Sequence, residues 1–277
     1  MGIFVRTLAG FGFSSVQIAC LRIIFGALLF VNFAGIFRRD FLRIHLKDCW
    51  LFACMGIVSM LLFTVCYFTV IRLSSLSTAA ILLYTSPIWV MLFSAVCFRE
   101  AITPRKLLAA ALAFGGCALV SGLGAGSSLS VGVIVLGLLS AVGYGLYSIF
   151  GTLALRRYPP LTVTTYAFLF GAVGTVFLCH PAQVVRIIAG SANCWGLLGL
   201  ILLTAFVTAV LPYLLYTLGL SCMNASTAAI MASIEPVVAT SAGAVVFSEA
   251  LSLPAAVGIC LVLAAIVLLN TGKTAAA

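Results

Sequence analysis

Glu235 is a carboxylate in the middle of a long apolar run, residues 224 to 247. A charged carboxylate at the centre of a membrane helix costs about 2.5–3.5 kcal/mol on insertion scales, so it is expected to face a cavity or a partner, or to carry a proton. In one reading Glu235 binds a cationic group of a solute or carries a coupling proton. In the other it is a protonated or hydrogen-bonded carboxyl that locks helices together. Pro236 follows it. A proline inside a helix has no N–H and frees the carbonyl four residues back, here Ala232, and Pro87 does the same to Leu83 in an earlier run. Interruptions at matching positions of two repeats point to a binding site near the bilayer midplane. Arg22 lies inside another apolar run, where it binds an anion, pairs with Glu235, or snorkels its long stem to the interface. Tyr84, Ser86, Trp89, Tyr144, Tyr147 and Ser233 add polar or aromatic groups to the same candidate helices, where each serves packing as readily as binding.

The elements that carry these residues are set by composition. The chain is 64% apolar and 7% charged, with a mean hydropathy of +1.32. Soluble domains place about a quarter of their residues in charged types, so the solvent here is lipid. Runs of roughly 20 apolar residues match a hydrocarbon core of about 30 Å. Lipid offers backbone amides no partner, and the runs are therefore read as helices. They cover 16 to 37, 49 to 70, 75 to 97, 105 to 123, 131 to 155, 161 to 180, 195 to 219, 224 to 247 and 254 to 271, which makes nine full spans. Met1 to Gly10 is too short to cross alone at ~1.5 Å per residue and reads as the tail of a further helix.

Other chemistries are poorly provided for. The 10 cysteines lie mostly inside apolar runs and read as small buried hydrophobes, not as staples or metal ligands. Of the two histidines, His45 falls in a loop and His180 at the outer end of the 161 to 180 run, so no histidine-based nucleophile or metal site forms within the bilayer and an enzyme is not expected. No metal or cofactor is called for. The net charge of +9 has no basic stripe interleaved with exposed aromatics, which argues against nucleic acid.

The chain contains a duplication. Ser77-Thr78-Ala79-Ala80-Ile81 recurs as Ser226-Thr227-Ala228-Ala229-Ile230, 149 positions later, and the same offset carries Tyr67 onto Tyr216, Pro87 onto Pro236 and Glu100 onto Glu249. Phe25-Gly26-Ala27 likewise matches Phe170-Gly171-Ala172. The second copy has a full helix, 131 to 155, ahead of that point, whereas the first keeps only Met1 to Gly10. The expectation is a first helix lacking on the order of 15 to 20 residues, the alternative being a nine-span chain. With the remnant counted as the first helix, Arg38, Arg39, Arg43, Lys47, Arg99, Arg105, Lys106, Arg156, Arg157 and Lys273 lie on one side, against Arg6, Arg72 and Arg186 on the other. The positive-inside rule makes the first side, with the C-terminus, cytoplasmic. The two Ser-Thr-Ala-Ala motifs open helices five crossings apart, so the copies are antiparallel. The expected domains are a first repeat, 1–123, a linker, 124–130, and a second repeat, 131–277. Ala111 to Gly115 and Ala239 to Gly243 have small-xxx-small spacing and permit close helix contact.

These residues resemble the EamA-type permeases of the drug/metabolite transporter superfamily. The likeness rests on Leu21-Arg22, on the Ser77 motif followed by Ser86-Pro87 and Glu100, and on Glu235-Pro236 followed by Glu249. It implies an all-α polytopic membrane protein of ten helices in two inverted five-helix repeats, here with the first helix truncated. It also implies a permease in a bacterial inner membrane that moves small organic metabolites, amino acids or related compounds, by alternating access around a central cavity. Protons are a candidate coupling ion, and the oligomeric state is open. The alternative is an inactive shortened fragment or an assembly partner. The chain departs from the family where Arg99 and Ser248 replace a glycine before each closing glutamate, and where a Trp-containing helix start is absent.

Overall fold

A computed structural model describes residues 2–37, 42–121, 130–191, 193–247 and 252–270, and all the regular structure among them is helical. Residues 124–129 of the expected linker, Arg38, Arg39, Glu249 and Lys273 lie outside the described residues. The elements are α1 (Gly2–Gly10), α2 (Ser15–Phe37), α3 (Cys49–Ala53), a π-helical segment π1 (Cys54–Leu61), α4 (Leu62–Leu73), α5 (Leu76–Leu83), α6 (Ser86–Phe98) and α7 (Pro104–Val120). Then come α8 (Val131–Leu155), α9 (Pro160–Thr175), α10 (Pro181–Ala189), α11 (Cys194–Ala205), a second π-helical segment π2 (Phe206–Val210), α12 (Leu211–Cys222), α13 (Ala225–Ala232), α14 (Ile234–Phe247) and α15 (Leu253–Asn270).

Ser15–Ile36, Leu46–Leu73, Leu76–Phe98, Val131–Leu155 and Cys194–Cys222 are long and apolar enough to cross a membrane. Helices α7, α9 and α15 have 17, 16 and 18 residues. At ~1.5 Å per residue that is about 24 to 27 Å; α7 and α9 are shorter than the runs 105 to 123 and 161 to 180 read from the sequence, and α15 is as long as the run 254 to 271. Helix α9 stops at Thr175, whose hydroxyl bonds the Gly171 carbonyl at 2.8 Å, and the chain then turns through Leu178 and Cys179, whose amides also bond back to Thr175. The connection expected at 181 to 194 contains a helix. In α10, Val184 is buried and Ile187 and Ile188 pack on the core, while Gln183 and Arg186 are exposed. Pro181 starts it after His180 in the left-handed region, φ 49°.

The chain forms two compact units, each drawing on both sequence halves. Unit 1 is Met1–Val65 with Phe150–Cys222, and unit 2 is Cys66–Ile149 with Met223–Ala277. In unit 1, Leu8, Phe13, Ile18, Cys20, Leu21, Cys179, Val184, Leu197 and Ile201 form a core at the start of α2. There the Gln17 side-chain amide donates to the Gln183 Oε1 at 3.0 Å. Further along α2, Phe168 is edge-on to both Phe30 and Tyr213, at 5.2 and 5.1 Å.

Past the end of α2, Asp48 is 4% exposed and accepts the Arg157 Nη1 at 2.5 Å and the Tyr158 hydroxyl at 2.7 Å. The Tyr158 oxygen in turn accepts the His45 amide at 3.0 Å. Burial raises the Tyr158 phenol above its ordinary value, and the Asp48 carboxylate pushes the same way against the His45 N–H. The phenol therefore stays protonated and keeps donating. Asp48→Ala removes the acceptor of both donors, so it is expected to lower the melting temperature in detergent by a few degrees. Arg157→Ala should do less, because that side chain is 66% exposed and already solvated.

Unit 2 is built on the pair α7 and α15. Gly116 and Gly258 face each other so closely that a methyl group on either would stand 2.5 to 2.6 Å from the other's carbonyl oxygen. Ala109, Ala110, Ala113 and Ala265 continue the contact with Ile230. The small face thus passes through Gly116 and not Gly115, which has nothing within 4 Å, and the Ala111 to Gly115 spacing is not the contact. The surroundings of Ala239 and Gly243 lie outside the described residues. Arg105 Nε donates to the Leu268 carbonyl at 2.5 Å and joins the start of α7 to the end of α15.

Candidate functional site

The run from Leu76 to Phe98 breaks at Tyr84-Thr85, and the run from Ala225 to Phe247 breaks at Ser233. These are equivalent positions, since 84 plus 149 is 233. At the first break Thr85 bonds back to the Leu82 carbonyl with both its amide and its hydroxyl, and at the second the Ser233 amide bonds Ile230. Pro87 and Pro236 sit in the first turns of α6 and α14 and are buried. A proline is tolerated there because first-turn amides have no intrahelical acceptor. Each interrupted run therefore presents the open amides and positive dipole end of a new helix within an apolar stretch.

Glu235 occupies the first turn of α14, where that dipole favours a negative charge. It is exposed, not enclosed by its neighbours. Its counterpart in α6 is Ser86, which is 5% exposed. The Glu235 carboxyl lies within electrostatic reach of Tyr67, Tyr84 and Cys117. Tyr84 packs on the cluster of Cys117, Val237 and Val262, next to Ile234. Cys117 Sγ donates to the Ser233 carbonyl at 3.8 Å, and Ser233 itself is buried. Helix α8 approaches α6 at Gly145, where a methyl group would stand 3.0 Å from Val90 Cγ2 and 3.6 Å from the Ser86 carbonyl. Tyr144 and Tyr147 flank that glycine, half-buried and buried respectively.

Unit 2 thus gathers Glu235, Ser233 and Tyr84 around one helix break, with Ser86, Tyr144 and Tyr147 beside the other. Arg22 belongs to unit 1, where its Nη2 donates to the Thr208 carbonyl at 2.5 Å. Tyr67 joins the group around Glu235. A carboxylate flanked by phenols and backbone dipoles suits a cation or a proton.

A further contact was hidden in the duplicated motif. The Glu100 carboxylate accepts Lys106 Nζ at 2.5 Å and also the Ser226 hydroxyl. The glutamate that closes the first copy's broken helix is therefore tied to the serine that opens the second copy's. Both residues were visible in the repeat, but their pairing, 126 positions apart, was not.

A model described as the EamA-like transporter family matches residues 1–122 and 131–271. The chain belongs to the EamA-like transporter family. An uncharacterized transporter of Archaeoglobus fulgidus is 30% identical over 189 residues, covering 68% of this chain and 66% of that protein. The uncharacterized transporter YyaM of Bacillus subtilis is 25% identical over 66% of this chain and 61% of its own length. Against these two relatives the match spans less than two thirds of their length. A second Archaeoglobus fulgidus uncharacterized transporter is 28% identical over 271 residues, 97% of this chain and 90% of that protein. One solved crystal structure shares the fold with a TM-score of 0.76 at 18% identity, over 99% of this chain and 96% of its own. As a member of the EamA-like transporter family with apolar helices long enough to cross a bilayer, the chain is an integral membrane protein.

Proposed function

We propose that this EamA-like protein is a secondary transporter of small organic solutes, amino acids or related metabolites, working by alternating access between two inverted five-helix repeats, 1–123 and 131–277. Glu235 handles a cationic group of the solute or the coupling proton. Ser233, Tyr84, Ser86, Tyr144 and Tyr147 line the path, and Pro87 and Pro236 set the helix breaks. The observation that carries this reading is the pair of matched interruptions, at Tyr84-Thr85 and Ser233, with a carboxylate in one copy where the other has Ser86. Broken helices at corresponding positions of two repeats are the recurrent construction of midplane sites in secondary transporters. The membrane is a bacterial inner membrane and the C-terminus is cytoplasmic. The Arg105 to Leu268 contact supports that side, since it holds the end of α15 at the basic end of α7.

The test is uptake into proteoliposomes, screened against amino acids, polyamines and nucleosides with and without an imposed proton gradient. Accumulation of at least one class above protein-free vesicles is the expected result. If no solute moves under any gradient, the carrier reading fails.

A further inference from the structure

Pro212 lies in α12, just past π2. In an α-helix the carbonyl of residue 208 would accept the amide of residue 212, and proline has none. The deleted bond is replaced from outside the helix, because Arg22 Nη2 donates to the Thr208 carbonyl at 2.5 Å. The surrounding turn is wound wide. The Leu211 amide reaches back five residues to the Phe206 carbonyl, and the Thr208 hydroxyl bonds the Thr204 carbonyl at 2.6 Å. Such π-helical turns interrupt the regular ladder and recur at functional positions, and inserted side chains are one cause of helix bending.

The same winding occurs at the repeat-related place. Subtracting 149 from Phe206–Val210 gives residues 57 to 61, the last five of π1. The two segments are held by different means. Position 212 corresponds to Phe63, which keeps its amide. Position 22 corresponds to Ala167 under the 145-residue offset that aligns Phe25-Gly26-Ala27 with Phe170-Gly171-Ala172. Against π1, α9 brings its own backbone close. A methyl group at Gly56 would stand 2.3 Å from the Gly171 nitrogen and 2.5 Å from the Ala167 oxygen. One π segment is thus seated against the backbone of α9, whereas its twin, buried at Thr208, Ala209 and Val210, adds a guanidinium on the carbonyl four residues before a proline.

We infer that Arg22 is a positioning residue, a clamp that stands in for the hydrogen bond Pro212 deletes, and that π2 is a bending point of the transport cycle which this clamp holds and releases while π1 stays fixed. The inference rests on the transporter reading above, but the clamp is measured without any transported solute. This assignment takes Arg22 out of direct solute contact. A packed interface forbids small displacements, whereas one charge-assisted bond breaks and re-forms as a unit.

Amide hydrogen exchange on the intact protein in lipid nanodiscs tests it. In the unsubstituted chain, the Phe206–Val210 segment is expected to exchange faster than Cys54–Leu61. Arg22→Gln should speed exchange at Phe206–Val210 by about tenfold or more, with Cys54–Leu61 unchanged. Arg22→Lys, which keeps a cationic donor, should retain most of the protection. Adding Pro212→Ala to Arg22→Gln should restore it, because position 212 then offers the Thr208 carbonyl its ordinary amide. Unchanged exchange at π2 in Arg22→Gln, a rise spread equally over α2, α9 and π1, or failure of Pro212→Ala to restore protection would each overturn the clamp. A segment π1 that exchanges as fast as π2 in the unsubstituted chain would overturn the bending point. None of these outcomes depends on flux, so a negative solute screen sinks the transporter reading without touching the clamp.

Discussion

Glu235→Gln is expected to cut flux of the solute identified in proteoliposomes by about ten- to a hundredfold, the equivalent of losing one charge-assisted hydrogen bond of about 1.5–3 kcal/mol. The substitution keeps the size and hydrogen-bonding reach of the side chain and removes its charge and its titration. Because Glu235 is exposed at the start of α14, the fold does not depend on enclosing it, and the melting temperature should hardly move. A structural lock would behave in the opposite way, with stability falling and flux surviving. If Glu235 carries the coupling proton, the pH dependence of flux flattens in the variant, while Glu235→Asp keeps a titrating group and retains part of the rate. Ser86→Ala, the matching change in the other copy, removes a neutral hydroxyl and should cost far less. Unchanged flux with an unchanged pH profile in Glu235→Gln would remove this carboxyl from the mechanism.

What could be read from the sequence depended on whether a residue contradicted its surroundings. Glu235 stands out in an apolar run, and Pro87 and Pro236 announce interruptions because they fall at matching positions of the two copies. The breaks at Tyr84-Thr85 and Ser233 lie beside the carbonyls those prolines were read to free. Pro212 carries the same chemical signal but has Phe63 at the matching place in the first copy, so the repeat does not single it out. Its meaning required Arg22, 186 positions away from the carbonyl it binds. The Asp48 cluster is similar, since a loop carboxylate among basic residues gives no sign that Tyr158 will cover it. Helix α10 was missed because its nine residues are too few to register beside spans of more than twenty. The compact units of the fold are interleaved along the chain, whereas duplication is legible only as consecutive halves.

Small residues were legible as a class but not by position, and the difference is measurable. Gly56→Ala is expected to destabilise unit 1 by about 1–3 kcal/mol, and more if α9 cannot retreat, because the added methyl meets backbone atoms and not the flexible end of a side chain. The Gly171 nitrogen at 2.3 Å, the Ala167 oxygen at 2.5 Å and the Phe170 carbonyl carbon at 2.7 Å belong to one helix, so relief requires moving that helix as a body. Its neighbours resist, since α9 also holds Phe168 between Phe30 and Tyr213. Gly115→Ala in α7 is the contrasting case, with nothing within 4 Å, and there the gain in helix propensity should leave stability level or raise it by up to about 1 kcal/mol. Thermal or denaturant unfolding in one detergent compares the two directly. Equal stability of Gly56→Ala and Gly115→Ala would mean that α9 yields at no cost, and that π1 is not the rigid member of the pair.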